Sequence, residues 1–62
     1  MWIVEIADGV WLAPWGGDPG RTLVKENAKR FIEQSTAMKA LETAKGRYSY
    51  RDYSEAKVLE EV

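Results

Sequence analysis

The chain has 62 residues, no cysteine and no histidine, and its nine bases and ten acids leave a formal net charge of −1. A chain of this length makes one domain, residues 1–62, and buries only about 60% of the surface that its unfolded form exposes. Without thiol or imidazole it has no disulfide staple, no thiolate nucleophile, no soft metal ligand and no side chain tuned to proton transfer near neutral pH.

What is left to build a core is a hydrophobic content of 45%, including seven aromatics of which three are tryptophan. That suffices for a small globular fold and is too apolar for a disordered chain. No apolar run approaches the roughly 18 residues of a membrane span. The start, "MWIVEIADG", lacks the basic region of a secretory signal. The expected setting is therefore the cytoplasm, with no membrane partner.

In chain order, "WIVEI" and "VWLA" flank "ADG", and Asp-Gly between β-branched and aromatic runs predicts a β-hairpin. A two-residue Asp8-Gly9 turn would pair Ile6 with Trp11 and split the apolar side chains between faces. A three-residue loop, with Gly9 in the left-handed region, pairs Ile6 with Val10 and Val4 with Leu12. The second register gathers four apolar side chains on one face, and burial selects it.

Pro14 to Gly20 cannot continue a central strand, since prolines lack donors and glycines weaken pairing, so a loop is expected there. Residues 22–32 are ambiguous. Leu23 and Val24 suggest a short extended piece, Asn27 a turn, and "AKRFI" a third strand with Phe31 pointing inward; a helix through 22–32 is the alternative. Residues 33–46 read as an amphipathic helix, because Ala37, Ala40, Leu41 and Ala44 recur at the spacing of one helical face. Ser35 or Thr36 is the candidate cap and Gly46 the candidate stop. The tail favours a strand through Val58 to Val62, which would bury Val58, over a helix opened by Ser54. The fold class expected is α+β: a hairpin, a third strand, one helix packed on the sheet and a C-terminal strand, in the order ββ(β)αβ.

Chemistry finds little material. "GGDPGRT" invites comparison with a phosphate-cradling loop, but only three residues separate Gly16 from Gly20, Arg21 stands where lysine belongs, and no parallel sheet fits in 62 residues. Backbone amides near Gly20 with Arg21 retain only the capacity to hold a single anion. Glu60 and Glu61 are adjacent, and on a strand they point to opposite faces. Asp8 and Asp18 sit in turns, where aspartate bonds nearby amides. The sequence therefore implies no enzyme activity, no small-molecule substrate, no cofactor and no metal.

Two surfaces remain. Trp2, Trp11 and Trp15 are candidates for an aromatic contact patch, the kind of side chain enriched at the buried centre of interfaces. The charge is also uneven: residues 21–51 hold eight bases against three acids, a local charge of +5, with −3 on either side. Arg21, Lys29, Arg30, Lys39, Lys45, Arg47 and Arg51 are candidates for contacting phosphates, with Tyr48 and Tyr50 able to stack on bases.

The segment "AKRFIEQSTAMKALETAK", residues 28–45, resembles the strand-into-helix part of the arm-type DNA-binding domains of phage and transposon integrases. That resemblance implies three antiparallel strands followed by a helix, with the sheet entering the major groove, and would carry DNA contact to Lys29 and Arg30. Glu33 stands where those domains commonly carry a capping threonine. More broadly, from "IADGVWLAP" through "RTLVKENAKRF" to "AKVLEEV", the chain resembles small α+β proteins of bacterial phages and prophages that have no assigned activity. Together these readings point to a non-enzymatic accessory protein of a phage or mobile element that works by protein–protein contact, with another protein or with its own copy. Nucleic-acid binding through segment 21–51 is the alternative.

Overall fold

In a computed structural model, which describes residues 1–61, the chain forms β1 (Trp2–Ala7), β2 (Val10–Leu12), β3 (Arg21–Thr22), α1 (Gln34–Arg47) and β4 (Lys57–Glu60). The four strands make one antiparallel sheet in the order β3-β2-β1-β4, with α1 packed against it. The expected α+β architecture is the one observed.

β1 is central and pairs on both sides, which explains its nearly unbroken apolar run: Ile3, Val4, Glu5 and Ile6 are all buried. The one carboxylate among them is satisfied. Glu5 Oε2 accepts the Gly9 backbone N–H at 3.0 Å, and Oε1 lies 3.6 Å from the Lys57 ammonium on β4. A buried charge needs such partners, so Glu5 ties the hairpin tip to the last strand.

The hairpin combines the two registers that the sequence allows. Ala7 faces Val10 across a tight Asp8-Gly9 turn, with Gly9 at φ +73°, a conformation open to glycine at no steric cost. A bulge between Glu5 and Ala7 then sets Glu5 opposite Trp11. The predicted Ile6–Val10 pair is therefore replaced by Ala7–Val10, and Ile6 occupies the bulge. Burial is preserved all the same: Val4, Ile6 and Leu12 join one core, while Val10 stays half-buried outside it.

The third strand lies at Arg21–Thr22, not at 28–32. Thr22 faces Trp11 and Arg21 faces Leu12. Residues 25–27 form a single 3-10 turn, which is all that exists of the alternative helix through 22–32. Phe31 is buried as expected, yet it makes only an isolated bridge with Trp2, through N–H···O bonds of 2.7 and 2.8 Å. The reason lies in β2, which leaves the sheet after Leu12. That exposes the first residues of β1 as an edge, and Phe31 fills it while Lys29 donates its N–H to the Leu12 carbonyl at 2.8 Å.

The helix matches its predicted stripe. Ala37, Leu41 and Ala44 are buried and Ala40 is half-buried, against Val4, Ile6, Leu12 and Phe31. Its end signals differ from expectation. The N-cap residue is Glu33, with no side-chain cap bond, and Ser35 and Thr36 fall inside the first turn. Gly46 does not stop the helix, which continues to Arg47. The helix end is buttressed from outside: the Tyr53 hydroxyl lies 3.1 Å from the carbonyl oxygens of both Ala44 and Tyr48, which also accept the backbone N–H groups of Tyr48 and Arg51.

β4 is the predicted tail strand. Val58 faces Val4, Leu59 faces Ile3, and Val58 packs against the core. The expected far end of that strand, Val62, lies outside the described residues. The Arg30 guanidinium grips both carboxylate oxygens of Glu61 at 2.7 Å and so fastens the tail beside the Phe31 bridge.

Candidate functional site

Pro14–Gly20 crosses from β2 to β3 as a closed loop, with the Ala13 N–H donating to the Gly20 carbonyl at 2.9 Å. A side chain at position 20 would overlap the Trp15 carbonyl oxygen, so the loop closes this tightly only on glycine. Pro19 and Gly20 are buried, whereas Pro14 through Gly17 face solvent.

Asp18 fixes this loop to the rest of the molecule. One carboxylate oxygen accepts the Tyr50 hydroxyl at 2.6 Å. The other accepts Arg21 Nη1 at 3.2 Å and Arg51 Nη2 at 3.1 Å, and the Asp18 backbone oxygen accepts Arg51 Nε at 2.6 Å. Tyr50 first, then Arg21 and Arg51, hold the Asp18 carboxyl at about 2, well below the ordinary aspartate range. The same contact pushes the Tyr50 phenol up. A loop early in the chain is thus latched to the turn that follows the helix.

The latch frames two open clefts that share Val10 and Arg21 as a common wall. One, of about 430 Å³, is lined by Trp15, Pro19, Gly20 and Leu23. The other, of about 480 Å³, is lined by Ile6, Ala7, Tyr50, Arg51 and Asp52. Trp15 is 50% exposed and Leu23 78% exposed, so the first cleft presents large apolar side chains directly to water.

The three tryptophans do not converge. Trp2 packs against the core under the helix. Trp11 faces the opposite side of the sheet, as its pairing with Glu5 requires, and lies 5.4 Å below the Lys25 ammonium. Trp15 alone stands on the loop.

The basic candidates are dispersed as well. Arg21 and Arg51 serve the Asp18 latch, Arg30 grips Glu61, and Lys45 lies 3.3 Å from Glu42. Lys29 lies over the Phe31 ring and Arg47 over the Tyr48 ring. Lys39 is exposed, and among the described residues Lys29, Lys39 and Arg47 have no acidic partner within 4.0 Å. Lys29 and Arg47 border a smaller cleft of about 210 Å³ together with Trp15 and Tyr48.

Sequence reasoning missed Val10, Leu23, Asp18 and Tyr50 as members of one surface. The only local signal was Asp-Pro in a glycine-rich loop, which announces a turn but not its partner 32 residues away. Among the described residues no group of three or more acids is placed to hold a metal ion, and no helix is long and apolar enough to cross a membrane. Comparison with family models, with curated proteins and with solved structures finds no match for this chain.

Proposed function

We propose that this chain is a small non-enzymatic binding protein, of a phage or mobile element, that contacts another protein through the surface around Val10 and Arg21. The observation that carries the reading is the exposure of Trp15 and Leu23 on a single cleft beside β3, an edge strand of only two residues. Exposed tryptophan and leucine on one concave surface are costly in water and are the material of interface centres. A latched loop also holds Trp15 in place before binding, which lowers the ordering cost of association. The mobile-element setting rests on the sequence resemblance alone.

The test is site-specific photocrosslinking in cells, with benzoylphenylalanine in place of Leu23 or, as a control, of Ile32, which is 82% exposed elsewhere on the surface. A discrete protein adduct from position 23, absent from position 32 and lost with Trp15→Ala, is the expected result. Equal adducts from both positions, or none from position 23, would remove the reading.

Nucleic-acid binding is the second reading, and the convergence of Lys29 and Arg47 with Trp15 and Tyr48 on one cleft favours it. Retention on duplex DNA that falls steeply with salt, and is lost with Arg47→Ala, would select it over protein contact.

A further inference from the structure

The second cleft has a chemistry that the first lacks. Ile6, Ala7 and Val10 give it an apolar floor, and Arg21 and Arg51 stand on its wall. Both guanidiniums are anchored by Asp18, but neither is used up. Arg21 bonds only through Nη1, to Asp18 and to the Pro19 carbonyl, and Arg51 only through Nε and Nη2. Arg21 Nε and Nη2 and Arg51 Nη1 therefore make no hydrogen bond among the described residues. Two fork-shaped cations converge on a single carboxylate oxygen, so they lie close together, with donors to spare beside an apolar surface. The remaining charged group on the cleft, Asp52, accepts the Ser54 backbone N–H at 2.9 Å through Oδ1.

We propose that this cleft receives a glutamate or aspartate side chain from an acidic-apolar segment of the protein partner, with an apolar neighbour of that side chain seated on Ala7 and Val10. The inference rests on the protein-contact reading above and specifies the partner's chemistry. Charge complementarity supports it: spare guanidinium donors in a fixed fork suit a carboxylate, and Arg is the side chain that delivers such planar recognition. A nucleic acid fits less well, since the apolar floor contributes nothing to a phosphate.

The experiment follows backbone amide shifts of the labelled full chain during titration with acetyl-Leu-Glu-Leu-Glu-Leu amide and, separately, with its Gln counterpart. The acidic peptide should shift Ala7, Val10 and Arg51, and the Gln peptide should bind about tenfold more weakly. Arg51→Gln should erase that preference. Because Arg51 also serves the latch, Val10→Glu is the second variant; losing the apolar seat should weaken both peptides, and the added charge should weaken the acidic one more, so that the Gln peptide becomes the tighter of the two. Equal binding of the two peptides would overturn the carboxylate inference and leave the contact reading standing. Absence of any shift at these amides would overturn it too, with the crosslink from position 23 deciding the contact reading independently. Inorganic phosphate or duplex DNA shifting the same amides as strongly as the acidic peptide would also overturn it, in favour of general anion or nucleic-acid binding.

Discussion

Between helix and sheet, Val4, Ile6, Leu12, Phe31, Ala37 and Leu41 close a core of apolar side chains, so that α1 is held there by shape and water exclusion. At the far end of the loop, one aspartate gathers a phenol and two guanidiniums from two parts of the chain, Arg21 and the adjacent pair Tyr50 and Arg51. The first arrangement is a matter of apolar area and tolerates no missing volume. The second exchanges protein–water for protein–protein hydrogen bonds at a partly wet surface, where each contributes little to net stability. The core therefore keeps the domain folded, whereas the latch pins the Pro14–Gly20 loop to the turn after the helix.

Substitutions separate the two regions, and the largest effect belongs to the core. Leu41→Ala or Phe31→Ala should cost about 2–5 kcal/mol, a large share of the stability of so small a domain, read from the urea midpoint. Next comes the loop closure. Gly20→Ala forces a side chain into the Trp15 carbonyl and should cost about 1–3 kcal/mol, whereas Gly16→Ala, with open space around it, should stay within about 0.5 kcal/mol.

The latch itself responds to pH. A carboxyl held at about 2 in the folded chain adds stability that is fully present above the unfolded aspartate value near 4 and is lost as pH falls toward 2. Asp18→Asn should accordingly lower the melting temperature at neutral pH, and the gap from the parent chain should close as pH approaches 2. Arg30→Gln removes the two-point contact with Glu61 and should lower the melting temperature modestly, and added salt should shrink the loss because the pair is only partly buried. Trp15→Ala should leave melting unchanged and abolish only the crosslink from position 23.

The same contrast explains what the sequence could reveal. The core was legible because it repeats: strand parity between β1 and β2 and the three-and-four spacing of Ala37, Ala40, Leu41 and Ala44 report which side each residue faces. The third strand was misplaced because Phe31 has a strand residue's burial without a strand's ladder, and burial alone cannot distinguish the two. Gly46 misled because the helix runs on to Arg47, where the Tyr53 hydroxyl buttresses its end through a contact that the helix's own sequence does not announce. The Asp18 latch left no periodic trace. Its partners lie 32 and 33 residues away, and only the folded chain brings them within reach. Separation of the tryptophans followed from strand parity, which was readable for Trp2 and Trp11 but not for the loop residue Trp15.

The most direct measurement is a carbon-detected NMR titration of the Asp18 carboxyl between pH 6 and about 1.5, recorded together with the amides of Val10, Leu23 and Arg51. A latch that shapes the proposed contact face requires the carboxyl to titrate near 2 and the three amides to move with it, while Val4 in the core stays still. A carboxyl that titrates near its ordinary value of 3.8, with the cleft amides indifferent to it, would contradict that role.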